Sequence, residues 1–291
     1  MFQIISDGGC DFSKEEIQKY NVNVVPFYIS FDQGSHLKEG IDITKEDFFQ
    51  RLVNEKNLYP KTSQPSPQDF VDAFTPYLQE EKDIICLTIS SKLSGSNSSA
   101  KIAANILEEE YPNRKIAIID SLNVTIGQGL ILKEIAKMRD AGYSFSSAVQ
   151  SAEKIIDTTK VYFTLDTLEY LKRGGRVGPT TALVGGLLGL RPILHLDDGQ
   201  VAQLDTVRGK KNALKLIEEG LVEALRDDRQ KINLSVGHIL SEVDAITLKS
   251  NIETSLDIKI SDQLTKVGAA IGTHAGPGAL AFAYCKKYDA I

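Results

Sequence analysis

Strand-like apolar segments alternate with amphipathic helical segments along the first half of the chain. The predicted strands cover residues 2–6, 24–31, 83–90 and 115–120. A period near 3.6 residues predicts helices between them, and two more helices at 127–138 and 145–156. Parallel strands need a crossover connection, which is usually a helix, so this alternation favours a mostly parallel sheet covered by helices. The sequence therefore predicts the α/β fold class.

Three predicted helices begin with residues that are typical of helix starts. Ser13 and Glu16 have the spacing of a capping box, and Thr44 precedes a helical pattern. Ser66 is followed by Pro67, which fits the first position of a helix.

A second region begins near residue 160. It opens with a predicted strand at 161–163 and a short helix at 168–172. A hairpin is predicted where 192–196 and 200–204 flank an Asp-Asp-Gly turn, and an amphipathic helix at 210–225. Strands at 232–239 and 256–260 enclose a helix at 243–252. We expect an N-terminal α/β domain at 1–160 and a second α/β domain with a β-hairpin at 161–291.

Composition limits the classes of function. The chain has 291 residues and a formal net charge of −6, which argues against broad nucleic-acid binding. Its three cysteines have no C-x-x-C spacing, so neither a disulfide framework nor a zinc site is indicated. With no basic leader and no run of about 20 apolar residues, we expect a cytoplasmic protein without a membrane span.

Three stretches rich in hydroxyl residues and glycine interrupt the regular pattern, at 61–67, 90–96 and 272–278. Hydroxyls and a histidine can donate hydrogen bonds to a carboxylate or phosphate. In open α/β sheets, ligands bind beyond the carboxyl ends of the strands, where such loops converge. The candidate anion-binding residues are Thr62, Ser94 and His274. Ser63, Gly95, Gly272 and Gly276 are candidates for loop and backbone support.

Other interpretations of these stretches remain open. Serine before a helix is usually a cap, and a histidine between glycines can brace a turn. Two basic runs, at 172–176 and 208–211, either meet an anionic group or form a solvated face. The apolar, glycine-containing segment at 182–190 lines a ligand tunnel or belongs to the core.

Taken in order, the motifs resemble those of the DegV family, bacterial proteins that bind a fatty acid. The resemblance spans almost the whole chain. It rests on Ser6-Asp7, TSQPSP at 62–67, LSGS at 93–96, IDS at 119–121, LEYLKRGGRVG at 168–178, VRGKKNAL at 207–214 and GTHAGPGAL at 272–280.

The resemblance implies a long-chain fatty acid, of the palmitate or oleate class, buried between two domains with its carboxylate near Thr62, Ser94 and His274. It also places Arg208 close to that polar end, and Arg173 and Arg176 on a surface that meets a partner. Family members act as the acyl-binding subunit of fatty acid kinase, which supplies acyl phosphate for phospholipid synthesis. A non-catalytic subunit with no cofactor or metal, and at most transient membrane contact, is therefore expected.

Two alternatives belong to other classes. Ser94 and His274 could act as nucleophile and base of a serine hydrolase, although the chain has no G-x-S-x-G elbow and no assignable acid. A regulatory module for a small polar ligand is the other alternative. A kinase active on its own is disfavoured, because the chain has no G-x-x-x-x-G-K-[ST] motif.

Overall fold

A computed structural model describes residues 1–32, 34–55, 58–177 and 189–291. The strands are β1 (Phe2–Asp7), β2 (Val22–Val25), β3 (Tyr28–Ser30), β4 (Leu37–Lys38), β5 (Lys61–Ser63), β6 (Asp83–Thr88), β7 (Ile116–Asp120), β8 (Lys160–Thr164), β9 (Leu190–Asp197), β10 (Gln200–Arg208), β11 (Ile232–His238), β12 (Thr265–Lys266) and β13 (Leu280–Lys286). The helices are α1 (Lys14–Tyr20), α2 (Lys45–Asn54), α3 (Pro67–Gln79), α4 (Ser96–Glu110), α5 (Ile126–Asp140), α6 (Phe145–Thr158), α7 (Glu169–Gly174), α8 (Lys210–Leu225), α9 (Glu242–Leu256) and α10 (Ala269–Ala275). Short 3₁₀ helices cover Gly8–Cys10 and Tyr288–Ala290.

The first sheet is parallel and has the strand order β2-β1-β6-β7. Helices α3 and α4 cover one face of this sheet. Their buried apolar side chains include Phe70, Phe74 and Ala103. Helices α5 and α6 share a second core with β1 and β6, in which Leu130 and Ile155 are fully buried. Because both faces are covered, the strands carry nearly continuous apolar runs, as the sequence pattern suggested.

The second sheet has the order β10-β9-β8-β13-β11-β12 and is antiparallel except where β12 joins β11. The β9–β10 pair is the predicted hairpin, with Asp198 and Gly199 at positive φ in its turn. Helices α8 and α9 pack on this sheet through a separate apolar core. The predicted fold class, a parallel sheet flanked by helices followed by a second α/β unit with a hairpin, is confirmed.

A third, small sheet has the order β4-β3-β5. The sequence predicts a single strand at 24–31, and that prediction is wrong: the segment divides into β2 in the parallel sheet and β3 in the small sheet. Pro26 lies at the division, where it has no N–H to continue a ladder of hydrogen bonds. The small sheet also contains Thr62, which the sequence had suggested as part of a loop.

The strand predicted at 256–260 is also absent. Helix α9 continues to Leu256 and ends at Asp257 in the left-handed conformation. Its buried residues Ala245, Leu248, Ile252 and Leu256 keep the spacing of a helix, so Leu256 belongs to that stripe. The strand that joins this edge is β12 instead.

The predicted helix starts are confirmed. Ser13 and Glu16 form a capping box, and Thr44 accepts from the backbone of Asp47. Ser66 caps α3 with Pro67 at its start. Most of the apolar segment at 182–190 lies outside the described residues, as do 178–181. Within the part of the chain that the structure describes, no helix is long and apolar enough to cross a membrane.

Candidate functional site

A cavity of about 380 Å³ lies where the three sheets meet. Ile89 and Leu93 line it from the loop after β6, and Phe163 and Ala281 from the second sheet. Helix α10 contributes one face through Ala270, Ile271, His274 and Ala275. The volume falls within the range of about 300–1,000 Å³ that is usual for small-molecule sites. Its walls are mainly apolar, and its polar side chains gather mostly at one end.

The pair formed by Thr62 and His274 defines this polar end. Thr62 lies in β5, opposite Ile29 of β3, and His274 lies in the last turn of α10. Thr62 Oγ1 is 2.9 Å from His274 Nε2, a hydrogen bond that joins residues 212 positions apart. The small sheet and helix α10 thus meet at this end of the cavity.

Burial keeps the His274 ring neutral. Desolvation, and to a smaller extent the positive charge of Arg176, lowers the pKa of His274 to about 4. Nδ1 is buried and has no hydrogen-bond partner among the described residues. A neutral ring that donates from Nε2 leaves the hydrogen of the Thr62 hydroxyl available for another acceptor.

The loop that carries Ser94 is held by buried hydrogen bonds to Asp7. The Asp7 carboxylate accepts from the backbone of Ile89 at 3.0 Å and from the Ser96 hydroxyl at 2.5 Å. Desolvation raises the pKa of Asp7, and these donors oppose that shift. Ser94 lines the cavity, and its hydroxyl accepts from the backbone N–H of Ser96. The Ser6-Asp7 motif therefore shapes the loop rather than the cavity wall.

Arg176 occupies a place that sequence analysis did not predict. It was expected on a surface that meets a partner, yet it lines the cavity as well as an outer pocket. Its Nε donates to the carbonyl of Leu93 at 3.1 Å and its Nη1 to the carbonyl of Gly174 at 2.6 Å. Among the described lining residues it is the only one with a permanent charge. The backbone carbonyls that hold it gave no signal in the sequence.

The outer pocket, of about 410 Å³, adjoins the polar end of the cavity. Thr62, Arg176 and His274 line both spaces. At its rim the Arg173 guanidinium stacks 3.8 Å from the ring centre of Tyr59 and pairs with Glu169. A group bound at Thr62 would thus be reachable from the protein surface.

Arg208 is the remaining residue that the resemblance assigns to the polar end. It is the exposed last residue of β10, beside Leu190 of β9, and is not among the described residues that line the cavity. Its proximity to the polar end stays a prediction.

The support residues are close to the site. Ser63 lines the cavity, and a Cβ on Gly95 would lie 2.7 Å from Cδ of Gln64, so the first two hydroxyl stretches touch. A Cβ on Gly272 would lie 2.5 Å from Cζ of the Phe49 ring. Gly276 ends α10 with φ of 73°, against the ring of Tyr170. The sequence had missed Gln64, which joins these stretches and lines the cavity.

The polar groups that the described residues bring to the site are hydroxyls, an amide, an arginine and histidine rather than clustered carboxylates or thiols. No group of three or more potential metal-binding side chains occurs in the described ranges. The two hydroxyls and the neutral histidine are hydrogen-bonding groups for an anion or a polar head group.

The chain is similar to known proteins of one family. A family model described as an uncharacterised protein of the DegV family matches residues 1–287. A DegV domain-containing protein of Caldanaerobacter subterraneus is 33% identical over 280 residues, which cover 95% of each chain.

Solved structures are similar over the full length. A stearic-acid-binding protein from Eubacterium ventriosum is 30% identical, with a TM-score of 0.95 and coverage of 100% of both chains. A fatty-acid-binding DegV family protein from Thermus thermophilus is 31% identical, with a TM-score of 0.88 and coverage of 98% of this chain and 99% of its own.

Proposed function

Because the chain belongs to the DegV family, we propose that it binds one long-chain fatty acid, of the palmitate or oleate class, as a non-catalytic lipid-binding protein. The observation that carries the proposal is the mainly apolar cavity with Thr62, Ser94 and His274 at one end. The fatty-acid binding of the Eubacterium and Thermus relatives supports it.

The cavity and its polar end suit the two parts of such a ligand. Each buried methylene contributes about 0.8 kcal/mol, so the acyl chain supplies most of the affinity. A buried carboxylate is costly unless it is hydrogen-bonded or paired. Hydroxyl donors from Thr62 and Ser94, with the charge of Arg176 nearby, offset that cost.

We further propose that the protein presents the carboxylate to a separate kinase subunit in the cytoplasm. The kinase would transfer the γ-phosphoryl group of ATP to a carboxylate oxygen, giving acyl phosphate and ADP. The outer pocket supports this, because it reaches Thr62 and His274 from the surface and has Arg173 on its rim. Arg173, which is exposed, and Arg176, which also lines this pocket, are the residues proposed to meet the partner, and Arg208 is proposed to lie near the ligand carboxylate. We also propose that the chain has two domains, at 1–160 and 161–291, and that the fatty acid lies between them.

The hydrolase alternative is less well supported. His274 Nε2 is bonded to Thr62 rather than to Ser94, and no described acid accepts from Nδ1. The arrangement lacks the oriented base that activates a serine. The hypothesis of a module for a small polar ligand does not explain why most residues that line the cavity are apolar.

Calorimetric titration of the delipidated protein with palmitate tests the binding proposal. We expect one site per chain, and a negative heat-capacity change from burial of the acyl chain. Incubation with ATP and palmitate should produce acyl phosphate only after the kinase subunit is added. Absence of palmitate binding would contradict the first proposal, and acyl phosphate formed by this chain alone would contradict the second.

A further inference from the structure

Helix α10 is attached to the rest of the protein at both ends. Its last turn holds His274, which is bonded to Thr62 of the small sheet. Its first turn contacts Glu39, which directly follows β4 of the same sheet and whose backbone N–H donates to Phe27. One small sheet therefore fixes the start and the end of the helix that lines the cavity.

The contacts at the start of α10 are made by two carboxyl groups. Gly268 N–H donates to Asp11 Oδ1 at 2.8 Å. The N–H groups of Ala269 and Ala270 donate to the two oxygens of Glu39. The first N–H groups of a helix have no partner within the helix, so these carboxyl groups satisfy donors that would otherwise be unpaired.

The surroundings of this carboxyl pair are unusual for two acidic groups. Burial, and then the charge of Asp11, raises the pKa of Glu39 to about 7. Burial also raises the pKa of Asp11, which lies 3.9 Å from Lys45 Nζ. Burying two acidic groups costs free energy of desolvation, which their hydrogen bonds to the start of α10 and the nearby charge of Lys45 offset in part.

We propose that Glu39 and Asp11 are positioning residues: they hold the first turn of α10, and so set the distance between His274 and Thr62 at which a ligand carboxylate is bound. The inference rests on the proposed fatty-acid binding. Neither residue is among the described residues that line the cavity, so each would act on the ligand indirectly, chiefly through the backbone of α10.

Gly268 provides an independent way to disturb the same contacts. A Cβ at this position would overlap with Glu39 Oε1 and lie 2.6 Å from Asp11 Oδ1. The φ of Gly268 is −80°, which alanine adopts without strain. Gly268→Ala should therefore displace the carboxyl groups while leaving the backbone and the cavity lining intact.

The experiment compares palmitate with hexadecanol, which has the same chain length and no carboxylate. Glu39→Gln and Gly268→Ala are each measured by displacement of a fluorescent fatty acid. We expect both variants to bind palmitate about tenfold more weakly, the loss of one hydrogen bond to the ligand carboxylate. Their affinity for hexadecanol should remain near that of the wild type.

Glu15→Gln is the matched control, because Glu15 is an exposed carboxylate in the first turn of another helix, α1. It should change neither affinity. Equal losses of palmitate and hexadecanol binding in the two variants would show a general collapse of the cavity and overturn the proposal, as would no loss for either ligand. A wild-type protein that fails to bind palmitate would instead contradict the proposed function itself.

Discussion

A single methyl group added at Gly174 should weaken ligand binding, because His274 lies directly against this residue. Gly174 is the last residue of α7, and a Cβ there would overlap with Nδ1 of the ring and lie 2.9 Å from Cε1. The substitution Gly174→Ala therefore forces the His274 ring away from its present place, and the 2.9 Å bond to Thr62 cannot be kept.

Two effects of Gly174→Ala have opposite signs. Alanine in a helix is favoured over glycine by roughly 0.5–1 kcal/mol, so the helix itself gains. Loss of the Thr62–His274 bond and of its alignment with a ligand costs roughly 1–1.5 kcal/mol, which is about tenfold in affinity. We expect the variant to be folded, close to the wild type in stability, and about tenfold weaker in palmitate binding.

Gly220→Ala is the matched control. Gly220 lies inside α8, and nothing lies within 4 Å of the Cβ it would gain. This variant should gain roughly 0.5–1 kcal/mol in chemical denaturation and bind palmitate like the wild type. The reasoning would be refuted if Gly174→Ala bound palmitate with unchanged affinity, since the ring would then have no part in holding the carboxylate.

Three further predictions concern the ligand and the carboxyl pair. Thr62→Val keeps the shape of the side chain but removes the hydroxyl, and should weaken palmitate binding about tenfold in calorimetry; an unchanged Kd would contradict the proposed role. Ala281→Leu adds bulk to the cavity wall and should shift the preferred ligand to a shorter chain in a series from dodecanoate to octadecanoate, whereas an unmoved optimum would place the chain elsewhere. Burial raises the pKa of Glu39 from 4.5 to about 7, so between these pH values the folded state keeps a proton that the unfolded chain has lost. The free energy of unfolding should therefore fall as the pH rises from 4.5 to 7, by up to about 3 kcal/mol. Denaturation across this pH range should show a shallower fall for Glu39→Gln, and identical slopes would mean that Glu39 is not buried as described.

The long periodic elements could be predicted from the sequence because their burial is regular. Helix α8 coincides with the prediction at 210–225, and its buried residues Ala213, Ile217, Leu221 and Leu225 follow a single stripe. The small sheet could not be predicted, since strands of two or three residues carry no period and β5 resembles a loop. The prediction of a strand at 256–260 was wrong because apolar residues at the end of a helix also fit the pattern of a short strand.

The site was only partly accessible to the same reasoning. Hydroxyl and glycine residues that interrupt regular elements point to Thr62, Ser94 and His274, and the structure brings these three residues to one cavity. Arg176 is held there by two backbone carbonyls, and no residue pattern reveals such acceptors. Glu39 reaches α10 across 230 positions, a contact that depends on how the sheets pack.

The most direct test of the central claim is to denature freshly purified protein and identify the released ligand by mass spectrometry. A fatty acid buried in the cavity should survive purification, so we expect about one long-chain acyl group per chain. Absence of such a ligand, together with no uptake of added palmitate or oleate, would contradict the account and favour the module for a small polar ligand.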